Sequence, residues 1–192
     1  KWAKGNQSVG YFSSNGSDLT TNVFQVSDNG MYTVYAKDSA GNETVEVITI
    51  NNLDFDAPII TLTPNKTAPT NVAIEVDIDI IDNNPIVEKK WAKGNLDETF
   101  FNTAGTDVVG DEFNVNENGI YTVFAKDSAG NTTVKTITVS NIDMDSPIIT
   151  LIPTKTAPTN VAIDVDVEII DNNAIIEKKW AEGNRDEAYF SA

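Results

Sequence analysis

The sequence predicts an all-β chain built as a string of two-sheet sandwiches, on three observations. First, it repeats at a fixed spacing of 89 residues: KWAKGN at Lys1–Asn6 returns as KWAKGN at Lys90–Asn95 and as KWAEGN at Lys179–Asn184. AKDSAGN at Ala36 returns at Ala125 with the same offset, and residues 57–95 match the segment 89 residues later at 30 of 39 positions without a gap. Self-similarity at a fixed period marks an array of like units. Second, short β-rich runs alternate with polar turns. Third, no segment carries the 3.6-residue apolar period of an amphipathic helix.

The elements follow in order through the complete repeat, from about Ala57 to Asp145. Ile59–Pro64 is a short strand closed by a proline, as an edge strand allows. Residues 66–71 (KTAPTN) form a turn. In residues 72–81, Ile74, Val76, Ile78 and Ile80 alternate with Glu75, Asp77 and Asp79, a period of two that gives one buried and one wet face. Asp82, Asn83, Asn84 and Pro85 end that strand. Residues 86–92 make a third strand carrying Trp91, ended by Gly94 and Asn95. Phe100 and Phe101 mark a short fourth strand, and residues 113–115 a fifth. Residues 120–125 and 132–140 form a last hairpin around DSAGN. Seven short strands at this spacing point to two packed sheets.

Composition narrows function by exclusion. Twenty-nine acidic against 13 basic residues give a net charge of −16, which opposes binding to nucleic acid or anionic lipid and favours cations. The chain has no cysteine and no histidine, so thiol nucleophiles, imidazole bases, disulfides and the usual zinc ligands are absent. No apolar run approaches the ~20 residues of a membrane span.

The string NENGIYTVFAKDSAGNTTVKTITVSNID, Asn116 to Asp143, resembles the last two strands of bacterial immunoglobulin-like repeats of Gram-positive surface proteins. Within it Asn118, Gly119, Ile120 and Tyr121 resemble the tyrosine corner of such sandwiches, whose hydroxyl bonds back to nearby backbone; Tyr32 is its copy. The proline-led first strand and the strand ending in WAKGN fit as well, so the resemblance covers the whole period. Lys89 departs from it, standing where the family more often has an apolar residue. The resemblance implies tandem immunoglobulin-like sandwiches, placed extracellularly at a cell surface or cell wall. Residues 1–56 then hold strands three to seven of one domain, 57–145 a complete domain, and 146–192 strands one to three or four of the next. We expect these residues to be a window on a longer array. A proteolytic fragment is one alternative. Head-to-tail completion between chains is another, although residues 179–192 correspond to 1–14 and would supply the third strand twice.

The acidic joints are the strongest candidate sites. Asn51–Pro58 (NNLDFDAP) and Asn141–Pro147 (NIDMDSP) each set two aspartates two residues apart before the next first strand. In a sandwich this entry lies at the same end as the loop after strand two and the loop after strand six. Asp54 and Asp56 are therefore expected to meet Asp82, Asn83 and Asn84 from one loop and Asp127 from the other. Three or four carboxylates with amide and backbone oxygens can supply the 6 to 8 oxygens that calcium takes. The second joint repeats the set with Asp143, Asp145, Asp171, Asn172 and Asn173. Taken alone, DSAGN reads as ordinary turn chemistry. Like charges converging without a cation would repel one another; Lys37 and Lys126 are the nearest candidates to neutralise them.

The stripe Glu75, Asp77, Asp79, copied as Asp164, Asp166 and Glu168, reads as a solvated face, because alternate residues of one strand sit ~7 Å apart. Trp2, Trp91 and Trp180 recur with the period and read as strand-three core rather than a sugar platform. An active site on every repeat is unexpected, and the chain is read as no enzyme. The functional expectation is a structural stalk or fibre in which further copies of the repeat are the partners and calcium stiffens each joint. Each repeat would advance roughly 35 to 45 Å, judged from a ten-residue strand. The alternative is an adhesive or carbohydrate-binding module that takes a surface glycan or host ligand through its loops or tryptophans.

Overall fold

The computed structural model describes residues 1–191, and the chain is all-β. It divides into two compact units. The first comprises 1–59, 80–89 and 125–133, and the second 60–79, 90–124 and 134–192. The strands, in chain order, are β1 Trp2–Lys4, β2 Gly30–Lys37, β3 Glu43–Ile50, β4 Ile59–Pro64, β5 Ile74–Ile81, β6 Ile86–Lys93, β7 Thr106–Asp107, β8 Glu112–Val115, β9 Gly119–Asp127, β10 Thr132–Val139, β11 Ile148–Pro153 and β12 Val165–Ile170. Two single-turn helices, α1 Glu98–Phe101 and α2 Glu187–Phe190, and a 3-10 turn at Val9–Ser13 complete the list. The secondary structure keeps the spacing of the sequence. β2 and β3 begin 89 residues before β9 and β10, and β4 begins 89 residues before β11. The 3-10 turn, α1 and α2 likewise start 89 residues apart, at 9, 98 and 187. No helix among the described residues is long and apolar enough to cross a membrane.

The strands form antiparallel sheets ordered β1-β2-β3, β4-β5-β8, β10-β9-β6-β7 and β11-β12. In the first unit β2 and β3 pair along their full length, from Gly30 opposite Ile50 to Lys37 opposite Glu43. Thr33 is fully buried, yet its hydroxyl donates to the Gly5 carbonyl at 2.6 Å and accepts from the Gln7 N–H at 2.9 Å, so it leaves no unsatisfied polar atom.

The second unit holds the larger core. Ile60, Ile74, Val76 and Ile78 are buried on one side of their strands, as period-two alternation requires. From Tyr121 to Ala125, β9 is buried on both faces. On one face the Trp91 ring stacks on Phe113 at 4.7 Å and tilts against Tyr121 at 6.0 Å. On the other, Phe124 stacks on Phe101 at 5.2 Å, and Thr122 accepts from Leu96 N–H and donates to the Gly94 carbonyl.

Phe101 corrects one sequence expectation. Phe100 and Phe101 do not form a strand; they end α1. The Asp97 carboxylate caps this turn, accepting from the Phe100 N–H at 3.2 Å and the Thr99 hydroxyl at 2.6 Å. The turn buries Phe101 completely while Phe100 faces outward. Gly105, at φ +99°, then lets the chain pass the Phe101 ring, because a Cβ there would lie 2.9 Å from the ring edge. The short strand of this region is instead β7, paired to β6 through Lys90–Asp107 and Trp91–Thr106.

A candidate metal centre at Asp54, Asp82 and Asp127

The first unit brings Asp54, Asp82 and Asp127 together, each offering a carboxylate oxygen within 4.8 Å of the other two. Asp54 comes from the acidic joint, Asp82 from the turn after β5 and Asp127 from the end of β9. Asp54 is the hub. Its carboxylate accepts from Asn83 Nδ2 at 3.1 Å, Asn84 Nδ2 at 2.7 Å and Asn131 Nδ2 at 3.2 Å, and from the Asp56 N–H at 3.2 Å. Asp82 accepts from the Asn84 N–H at 2.7 Å, which folds the DNN turn back on itself.

Asp127 is 1% exposed and held by the DSAGN loop. Its Oδ1 accepts from the Gly130 and Asn131 N–H groups at 2.7 and 2.8 Å, and its Oδ2 from Asn131 Nδ2 at 2.8 Å. Burial pushes the Asp127 carboxyl up. The hydrogen bonds from Asn131 and Gly130, with contact to the Asp54 carboxyl, outweigh it and hold the group below its ordinary value. The copy of this loop at Asp38 makes the same turn bonds to Asn42 and stays exposed. The loop therefore accounts for its own hydrogen bonding, and what sets Asp127 apart is the company of Asp54 and Asp82.

Of the two lysines expected to neutralise the group, Lys37 is engaged elsewhere. Lys37 pairs with Glu43 at 3.0 Å, and none of the ion pairs Lys4–Asp28, Lys37–Glu43, Lys93–Glu117 and Lys179–Glu177 includes Asp54, Asp82 or Asp127.

Not every residue singled out from the sequence enters the cluster. Asp56 is exposed and meets Asp54 through its backbone N–H rather than adding a fourth carboxylate. In the second unit Asp143 accepts from Asn173 Nδ2 and from the Asp145 N–H at 3.1 Å, and Asp171 accepts from the Asn173 N–H at 2.7 Å. Those bonds, Asn173 first, with Asn172 adding a weaker one, hold the Asp143 carboxyl low. Asp145 lies exposed beside this pair, and a counterpart of Asp127 would fall at position 216, outside the 192-residue sequence. No protein-family model matches this chain, and no curated protein matches it.

A second cluster was missed in the sequence. Glu75, Asp77 and Glu112 also bring carboxylate oxygens within 4.8 Å of one another. The expectation that the stripe on β5 is too widely spaced considered one strand only. Glu112 on β8 sits directly opposite Asp77 and closes the gap from the side. Two acidic groups of this molecule could thus hold a metal ion.

Sequence reasoning also missed the amides that position the joints. Asn29 donates to the Leu53 carbonyl at 2.8 Å and accepts from its N–H at 3.0 Å; Asn118 does the same to Ile142 at 2.8 and 2.9 Å. Both asparagines precede glycine, a dipeptide that reads locally as a turn. Their signal is position: each stands 24 residues before the backbone that it clamps. The tyrosines two residues after each glycine are anchored too. Tyr32 donates to the Asp28 carbonyl and Tyr121 to the Glu117 carbonyl, both at 2.7 Å.

The three tryptophans lie in two environments. Trp2 stacks on Phe24 at 4.9 Å and Trp91 on Phe113, both half-buried, whereas Trp180 is 88% exposed. The counterpart of Phe113 for Trp180 would be position 202, outside this sequence.

Proposed function

We propose that the chain is a structural repeat of an extracellular stalk or fibre, built of tandem immunoglobulin-like sandwiches whose joints are stiffened by calcium. The observation that carries this reading is the meeting of Asp54 from the joint with Asp82 from the turn after β5 and Asp127 from the end of β9, three carboxylates that take no part in the four ion pairs named above. The donor set is all oxygen and hard, as calcium prefers. Asn83, Asn84 and Asn131 surround it, and each amide carries a carbonyl oxygen as well as the NH2 that now faces Asp54. Zinc would want nitrogen or sulfur ligands, which the chain lacks. Asp54 lies between strands in sequence and Asp82 and Asp127 end β5 and β9, so one ion there would tie a linker to two strand ends. That is a stiffening device rather than a catalytic one. The anchored tyrosines Tyr32 and Tyr121 and the seven strands between Ile59 and Val139 support the sandwich part of the reading.

The alternative, an adhesive or carbohydrate-binding module, draws support from exposed Trp180 alone; the rings of Trp2 and Trp91 are taken up by stacking. The test is calcium titration by calorimetry, with thermal melts and negative-stain images in calcium and in chelator. Binding, a raised melting temperature and straighter particles are expected. No heat of binding and identical melts would remove calcium and leave the hydrogen bonds described above to fasten the joint.

A further inference from the structure

Asn29 and Asn118 clamp the two joints, and each is followed by glycine. Asn118 donates from Nδ2 to the Ile142 carbonyl at 2.8 Å and accepts at Oδ1 from the Ile142 N–H at 2.9 Å; Asn29 holds Leu53 at 2.8 and 3.0 Å. Each clamp lies within one unit, residues 29 and 53 in the first and 118 and 142 in the second. Both partners of the second clamp belong to the complete repeat.

Asn-Gly is also a dipeptide whose backbone can attack its own side chain. Glycine has no Cβ to shield its nitrogen, and the fold selects it here: Gly30 and Gly119 sit at φ +149° and +158°, where L side chains are rarely found. Asn29 and Asn118 are exposed, so water reaches them. What protects them is geometry. Cγ carries both Oδ1 and Nδ2, and these two atoms are bonded to backbone 24 residues away. Turning Cγ back towards the glycine nitrogen breaks both bonds at once.

We propose that Asn29 and Asn118 are deamidation sites latched by the joints they clamp: each amide is kept while its clamp is closed and becomes a carboxylate once the clamp opens. In the open state hydroxide takes the proton of the Gly119 N–H, and the nitrogen bonds to Cγ of Asn118. The Cγ–Nδ2 bond breaks, and Nδ2 leaves as ammonia with a proton from water, which restores the hydroxide. Water then opens one of the two C–N bonds of the cyclic succinimide. Cleavage at Cγ leaves aspartate. Cleavage at the backbone carbonyl leaves isoaspartate, with the main chain rerouted through Cβ and Cγ. Water is the only co-reactant, and nothing is oxidised or reduced. Asn29 and Gly30 react in the same way.

The latch works in one direction. Either product sets an oxygen where Nδ2 donated to the carbonyl of buried Ile142, so that carbonyl loses its donor. Isoaspartate also lengthens the main chain at the start of β9, between Glu117 and the Tyr121 hydroxyl that bonds to it. The inference goes beyond the stalk reading and stands with or without calcium: each joint keeps a chemical record of the time it has spent open.

The test incubates the 192-residue chain in chelator at mildly alkaline pH, native and in denaturant. Both sites are followed by peptide mass mapping, with isoaspartate separated by chromatography. Conversion at Asn29 and Asn118 is expected to be slower in the native chain by about tenfold or more, because it waits for local opening. Asn141→Ala removes the bonds to the Lys66 and Ala68 carbonyls beside the second clamp. It is expected to speed conversion at Asn118 and leave Asn29 unchanged. In chains carrying isoaspartate at position 118, hydrogen exchange at the Ile142 N–H is expected to rise. The comparison of native with denatured chain needs no variant, and equal rates there would overturn the proposal. So would an Asn141→Ala variant that speeds both sites alike or neither, or isoaspartate that leaves Ile142 exchange unaltered.

Discussion

The side-chain amide of Asn118 pairs with the backbone of Ile142 as a strand would, donating to its carbonyl at 2.8 Å and accepting from its N–H at 2.9 Å. Ile142 is buried, and this one side chain serves both of its backbone groups. Thr70 extends the clamp, accepting from Asp143 N–H and donating its own N–H to the Asn141 carbonyl. Replacing Asn118 with alanine strands a buried donor and acceptor together. A loss of about 1–3 kcal/mol in unfolding free energy is expected from denaturant titration. Asn118→Asp keeps the acceptor but sets a carboxylate oxygen against the Ile142 carbonyl, so it should lose stability as well. Equal stability of the alanine variant would mean that water replaces the amide.

The buried aromatic at Phe101 tests the turn that the sequence misread. With Phe101 fully buried against Phe124, Phe101→Ala should cost about 3–5 kcal/mol, whereas Phe100→Ala, one residue earlier and turned outward, should cost far less. A strand would also place neighbours on opposite faces, so the decisive partner is the cap. Asp97→Ala removes two acceptor bonds and should cost about 1 kcal/mol only if the helical turn is real.

What the sequence disclosed and what it hid divide along the reach of each interaction. Ile59–Pro64 coincides with β4, and the alternation from Ile74 to Ile80 places the buried face of β5 correctly, because period two is a local property of the chain. The meeting of Asp54 with Asp82 and Asp127 was legible because repeats with fixed loops constrain which turns share an end. Asp56 was not separable from Asp54 by pattern; only the backbone path shows which carboxylate turns inward. Glu112 was invisible as a partner of Glu75 and Asp77 because strand register is a long-range quantity. The amide clamps of Asn29 and Asn118 were hidden for the same reason: Asn-Gly reads as a turn, and its partner lies 24 residues away.

The tyrosine hydroxyls give a clean deletion. Tyr121→Phe keeps the ring against Trp91 and Phe113 and removes one bond to the Glu117 carbonyl. A loss of about 0.5–1.5 kcal/mol is expected, and a similar one for Tyr32→Phe at Asp28. Denaturant midpoints with unchanged slope would show that only stability moved.

Acid stability should report on Asp127. Its folded carboxyl lies below the ordinary value of about 3.9, so the native state holds fewer protons than the unfolded chain in that range. The stabilisation is complete above the unfolded value and disappears as pH falls through the folded one. Asp143 titrates with the same sign, its carboxyl held low chiefly by Asn173. Melting temperature in chelator should therefore fall between pH 5 and more acidic values, and Asp127→Asn should flatten that slope. An unchanged slope in the variant would place the acid sensitivity elsewhere.

Calcium binding separates the two joint aspartates. If the ion sits among Asp54, Asp82 and Asp127, calcium at 100 times its dissociation constant stabilises the native state by about 2.7 kcal/mol. For a chain of this length that raises the melting temperature by about 5–10 °C. Asp54→Asn removes the carboxylate to which Asn83, Asn84 and Asn131 all point, and should abolish most of that increment. Asp56→Asn changes an exposed carboxylate whose contribution is a backbone N–H, and should keep it. If both variants lose calcium equally, the joint must close further around the ion than the hydrogen bonds of Asp54 imply. If neither does, the cluster around Asp54 is not where calcium binds.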